Sequence, residues 1–187
     1  MRADAKKNYD NILSIAQEVF AEQGANASLR EVARRAGIGM GTLYRHFPNR
    51  EALLEIILRE GFDRLSKKAS NLMSTSTSGE ALVLWVQEVI AFTHNYQGVI
   101  SVMMSAIEDL DSALHESCHA LRVAGAELLT RAQSEGKACA DLGGDELFDL
   151  IAALAWLRDQ PSHRPRSEHL FKVIANSIMT DAKQVEN

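Results

Sequence analysis

Apolar side chains at Ile12, Ile15, Ala16, Val19 and Phe20 recur every three or four positions, which predicts a helix over residues 7–22 that Gly24 stops. Leu29, Val32, Ala33 and Ala36 repeat the pattern over a shorter stretch. Ser28 and Glu31 form an S-x-x-E capping box at its start, and Gly37 ends it, because glycine takes the left-handed backbone at a helix C-terminus without steric cost. Ile38 plugs the turn, and Gly39 serves as N-cap of a second short helix over residues 40–47. Leu43 and Phe47, four apart, supply its buried side, opposite Thr42 and His46. Pro48 closes it, since the residue before a proline is pushed out of helical geometry. A longer helix opens at Arg50 and Glu51 and runs through Leu53, Leu54, Ile57, Leu58, Phe62 and Leu65 over residues 50–71.

The polar repeat STSTSG at residues 74–79 reads as a surface loop. Helices are predicted beyond it over residues 80–95, 99–108, 112–135, 145–158 and 167–181, with breaks at Gly136, Gly143, Gly144, Pro161 and Pro165. No strand-like alternation is sustained and no internal repeat is visible. The chain therefore reads as all-α: a three-helix domain over residues 1–50 and a larger helical domain over residues 51–187. Composition agrees, with 3 prolines, 6% aromatic residues and 46% hydrophobic residues among the 187. No apolar run approaches the roughly 20 residues of a membrane span. Met1, Arg2, Ala3 and Asp4 open no secretory signal, so a cytoplasmic protein without membrane partners is expected. Cys118 and Cys139 fit free thiols in a reducing compartment, and a single bridge between them stays open.

Two short helices joined by a glycine turn are the layout of a helix-turn-helix, whose second helix enters the major groove of double-stranded DNA by its N-terminus. The net charge of −5 opposes this only when taken globally. Residues 1–50 hold 8 Lys and Arg against 5 Asp and Glu, a local +3, while the remainder carries −8. Screening confines phosphate attraction to roughly 10 Å, so the basic end decides. Met40, Gly41 and Thr42 form the tip that meets base edges: an adaptable apolar contact, a close backbone approach, and a hydroxyl with a methyl. Ser28 and Arg50 sit at helix starts, where the amides and the dipole favour a phosphate.

The segments NILSIAQEVFAEQG, LREVARRAGI and GTLYRHFPNREAL, in that order and spacing, strongly resemble the TetR family of bacterial transcriptional regulators. The resemblance covers roughly the first 55 residues, and nothing comparable appears afterwards, as is usual for a family whose ligand domains diverge. It implies that Arg30 reaches a base or phosphate and that Tyr44 and His46 contact phosphates. Gly39 and Met40 depart from the Ser or Thr and the polar residue common at those positions. The resemblance further implies a homodimer on a palindromic operator, probed by two heads about 34–36 Å apart. A small-molecule effector would release it by tilting the helix over residues 50–71, which makes the expected regulator a repressor.

The last two helices are apolar over a wider face than one core-facing stripe needs. Burial and partner contact both fit that width; with the resemblance, Leu147, Ile151, Leu154, Leu170, Ile174 and Ile178 are expected in a symmetric four-helix dimer interface. An effector cavity is expected among Trp85, Val89, Phe92, Met103, Met104, Ile107, Leu121 and Phe148, where flexible methionines and flat rings suit a hydrophobic ligand, although each position also fits plain core. His115, Glu116 and His119 spell H-E-x-x-H, the zinc-peptidase signature. A peptidase needs a third ligand and a cleft beside a strand; a regulatory metal held by His115, Cys118, His119 or His94 and an ordinary helix face are the other readings. The helix face is preferred, so neither metal, cofactor nor enzymatic activity is expected.

Overall fold

The computed structural model describes residues 2–160 and 162–179. Among them it forms nine α-helices: α1 (Arg2–Gln23), α2 (Leu29–Arg35), α3 (Met40–His46), α4 (Arg50–Thr75), α5 (Ser78–Val102), α6 (Met104–Glu108), α7 (Ala113–Ser134), α8 (Gly144–Asp159) and α9 (Arg164–Ile178). No strand forms among the described residues, and an isolated antiparallel bridge joins Ala138 to Met179. Two compact units arise: residues up to Gly61 together with Asn95–His115, and Phe62–His94 together with the chain from Glu116 on.

In the first unit, Ile12, Ala16, Val19 and Phe20 of α1 are fully buried, as the spacing predicts. Leu13 joins them, whereas Ile15 is half-buried. They close over Val32 and Ala33 of α2, Leu43 and Phe47 at α3, and Leu53, Leu54, Ile57 and Leu58 of α4. The turn between α2 and α3 follows from one residue. Gly37 sits at φ +68°, its N–H donates to the Arg34 carbonyl and the Ile38 N–H donates to the Ala33 carbonyl, the two crossed bonds of a Schellman ending. At the start of α4, Asn49 Oδ1 accepts from the Ala52 N–H at 2.7 Å.

Trp85 organises the second unit. It is fully buried, its Nε1–H donates to the Leu65 carbonyl of α4 at 2.9 Å, and its ring meets Phe148 of α8 edge-on at 5.9 Å. Gly125 of α7 makes room for it, since a Cβ there would lie 2.4 Å from the ring. α8 packs on α9 through Leu147, Ile151 and Leu154. The Cys139 N–H donates to the Ile178 carbonyl at 2.7 Å and pins the end of α9.

Three expectations change. The 74–79 loop contracts to two residues between α4 and α5: Ser74 and Thr75 hydroxyls donate back to the Asn71 carbonyl, and Ser78 is buried, donating to Glu135 at 2.6 Å. Local hydroxyl bonding lets serine and threonine end helices as well as fill loops. Residues 80–95 and 99–102 fuse into α5, because Tyr96 and Val99 are buried on its face and the Tyr96 hydroxyl donates to the Gln17 carbonyl at 3.2 Å. Tertiary packing there overrides the weak helix propensity of Asn95 and Gly98. α1 begins at Arg2, earlier than periodicity predicts. The predicted break at Pro161 and the end of the last helix at residues 180–181 lie outside the described residues.

Candidate nucleic-acid interface

α3 is fixed from behind. Leu43 and Phe47 are fully buried, so the opposite side of this short helix faces outward. Tyr9 of α1 stacks on Phe47 at 5.1 Å and meets His46 edge-on at 6.2 Å, bracing the end of α3. Burial, and after it the Glu60 carboxylate, push the Tyr9 hydroxyl above its usual pKa, which keeps it neutral. Asn11 Nδ2 donates to the Ala36 carbonyl at 3.3 Å, tying α1 to the end of α2.

At the tip, Gly41 is exposed and a Cβ on it would meet nothing within 4 Å; the same is true of Gly39. Met40 and Thr42 are half-buried, and Thr42 Oγ1 accepts from Arg45 Nη2 at 3.1 Å. Tyr44 is 48% exposed, a large aromatic face left outside the core. His46 is half-buried beside Tyr9. Ser28 is exposed and caps α2, its Oγ accepting from the Glu31 N–H at 3.2 Å. Arg30 is exposed. Met40, Gly41, Thr42 and Tyr44 therefore share one short helix, with Arg30 on the preceding one and Ser28 at its N-cap.

Arg50 stands apart. Its guanidinium lies over the Phe20 ring at 5.5 Å and donates to the Ala27 carbonyl at 3.4 Å, so its side chain braces the bundle. Tyr9 is the residue the sequence reading missed; it lies three and four positions before Ile12 and Leu13 and so continues the buried stripe of α1. Arg34 and Arg35 are both held by Glu31.

The predicted effector residues divide between the two units. Met103, Met104 and Ile107 belong to the first unit; Trp85, Val89, Phe92, Leu121 and Phe148 belong to the second. Trp85, Val89, Phe92 and Leu121 are buried, Phe148 is half-buried, and Met104 is exposed. An apolar cleft bounded by Val86, Leu147, Ile151, Leu154, Phe171 and Ile174 offers about 20 Å³, enough for one water. A polar-rimmed groove of about 290 Å³ runs past Gln87, Ile90, Leu154, Arg158, Phe171 and Lys172. None of the eight predicted residues borders either.

Of the six predicted interface residues, Leu147, Ile151 and Leu154 are already covered within the chain, spent on α5 and α9. Leu170, Ile174 and Ile178 are half-buried. The outward apolar surface of these helices is carried instead by Trp156 and Val173, 50% and 47% exposed. Cys118 and Cys139 are free thiols. His115 Nδ1 donates to the Ile107 carbonyl at 2.8 Å, and among the described residues no three His, Cys, Asp or Glu side chains gather to hold a metal. No helix among the described residues is long and apolar enough to cross a membrane.

Residues 12–57 match the family described as bacterial regulatory proteins, tetR family. Residues 77–178 match the C-terminal domain of SbtR-like transcriptional regulators. An HTH-type transcriptional regulator of Staphylococcus aureus is 44% identical over 64 residues, which is 34% of this chain and 35% of that protein, so the match spans about a third of this curated relative. Among solved structures, a TetR transcriptional regulator of Streptomyces coelicolor is 29% identical with a TM-score of 0.74, over 93% of this chain and 99% of that one. The transcriptional regulator FadR of Bacillus subtilis, solved with stearoyl-CoA, is 20% identical with a TM-score of 0.60 over 91% and 99%, a likeness of fold alone. These are regulators of transcription, not enzymes.

Proposed function

The chain belongs to the tetR family of bacterial regulatory proteins, DNA-binding regulators built on a helix-turn-helix, and on that premise we propose that it is a cytoplasmic homodimeric repressor released by a small molecule. The observation that carries the reading is α3, with Leu43 and Phe47 fully buried and Gly41 and Tyr44 exposed. A helix anchored this way presents its tip to a groove without unfolding anything. Met40, Gly41 and Thr42 meet base edges, Arg30 grips a base or phosphate, and Ser28, Tyr44 and His46 hold phosphates. Arg50 contributes by bracing the bundle and lending charge.

One such head covers too little DNA for useful affinity, so two act together on a palindrome with half-sites about 34–36 Å apart. The partner is met through α8 and α9, with Trp156 and Val173 beside Leu170, Ile174 and Ile178. The effector is apolar and enters among Trp85, Val89, Phe92, Leu121 and Phe148, apolar side chains of the second unit. Because α4 is one continuous helix over Arg50–Thr75, a shift at its far end is passed to the DNA head. A coupling of about 1–3 kcal/mol lowers operator affinity roughly 5- to 150-fold.

Selection of bound duplexes from a random library by the purified protein, with light scattering of the same sample, tests this. The expected outcome is a dimer that enriches an inverted repeat. A single-chain species, or enrichment of an unrepeated site, would refute it.

A further inference from the structure

α2 carries three arginines on seven residues. Arg30 makes no hydrogen bond or ion pair among the described residues, but Glu31 takes the other two. Glu31 Oε2 accepts from Arg34 Nε at 2.8 Å and Oε1 from Arg34 Nη2 at 2.7 Å, a two-pronged grip. The same Oε1 accepts from Arg35 Nε at 2.8 Å, and Arg35 Nη2 reaches Glu22 of α1 at 2.7 Å. Only half of the predicted capping box is therefore made. The Glu31 N–H donates to Ser28 Oγ, while its carboxylate, instead of turning back to the start of α2, accepts from arginines one turn on. Bonds from Arg34, then Arg35, hold the Glu31 carboxyl down at about 2, so it is ionised at any working pH.

We propose that Glu31 is an internal counterion that withholds the charge of Arg34 and Arg35 from the DNA backbone and limits how tightly the head grips duplex of any sequence. Two carboxylates, Glu22 and Glu31, face two guanidiniums, so this corner of the head is neutral. A phosphate that captured Arg34 would leave the Glu31 carboxylate with one partner fewer beside a polyanion. Each arginine that neutralises a phosphate expels condensed cations and steepens log affinity against log salt by about 0.9. An arginine already neutralised adds nothing to that slope. Arg34 is the one that loss of Glu31 sets free, being 71% exposed, whereas Arg35 keeps Glu22.

The inference rests on the DNA-binding reading, and one assay separates their failures. Binding to a labelled duplex of arbitrary sequence, about 20 base pairs long, is followed between roughly 50 and 200 mM salt. Wild type, Glu31→Gln and the paired Glu31→Gln/Arg34→Gln variant are compared. Glutamine keeps the shape of Glu31 and leaves its backbone cap in place, and the paired variant preserves net charge. Per head, Glu31→Gln is expected to steepen the slope by about 0.9 and to lose about 3- to 4-fold more affinity across that range. The paired variant is expected to return to the wild-type slope. If Glu31→Gln keeps the wild-type slope, or the paired variant is shallower than wild type, the counterion role is overturned. If wild type shows no salt-dependent binding, the DNA reading falls and takes the inference with it.

Discussion

Glu31 serves two purposes with one side chain position: its N–H goes to the cap and its carboxylate accepts from two guanidiniums. Its folded-state pKa lies below the ordinary 4.5, at about 2. The ion network thus favours the folded chain at every pH above 4.5, and its contribution fades as the pH falls towards 2. A carboxyl titration followed by NMR should place Glu31 near 2, and a midpoint at 4.5 would contradict the geometry. Arg30 and Tyr44 are expected to differ in kind. Arg30→Ala should relax preference at one base pair by about 1–3 kcal/mol, and Tyr44→Ala should weaken all sequences alike; matched binding curves on single-base operator variants distinguish them. The burial of Leu43 and Phe47 was legible because positions four apart must share a helix face. The lodging of Arg50 over Phe20 was not, since a long side chain goes where a distant neighbour offers a ring.

Helix ends divided along the same line. Gly37 and Gly136 both stop helices at positive φ, and each could be located in the sequence because few other residues tolerate that backbone. Gly37→Ala should cost about 1–2 kcal/mol, read from the midpoint of urea unfolding. Gly125 was silent in the sequence, a glycine inside a helix with no turn to explain it. Its reason is the Trp85 ring, which a Cβ would approach to 2.4 Å. Trp85 is buried and bonded to the Leu65 carbonyl, so it has little freedom to retreat. Gly125→Ala is expected to destabilise by about 1–3 kcal/mol in thermal unfolding, and an unchanged melting temperature would show that the ring moves aside. The 74–79 stretch misled because its hydroxyls bond within α4 and to Glu135, partners that local composition does not reveal.

For the molecule as a whole, periodicity established an all-helical chain and the width of the apolar faces on α8 and α9. It did not establish which of those side chains the chain spends on itself. Leu147, Ile151 and Leu154 lie one helical turn apart and face inward, leaving Trp156 and Val173 outside. That division depends on how α8 and α9 rotate against α5, which no single-helix pattern encodes. Val173→Glu should therefore turn a dimer into single chains and abolish operator binding while leaving the melting curve of the subunit nearly intact. Light scattering and gel shift on the same preparation would show it; a Val173→Glu dimer would mean that the partner docks elsewhere.

The blank surface at Gly39 and Gly41 has one more consequence. Neither position carries a left-handed backbone, and neither has an atom within 4 Å of where a side chain would begin. Adding a methyl or hydroxymethyl at residue 41 would not strain the fold and should firm the helix by up to about 1 kcal/mol. If the tip of α3 meets base edges as proposed, new target preferences are open to this protein at no structural expense: the part of it that reads can be rewritten while the part that folds stays as it is.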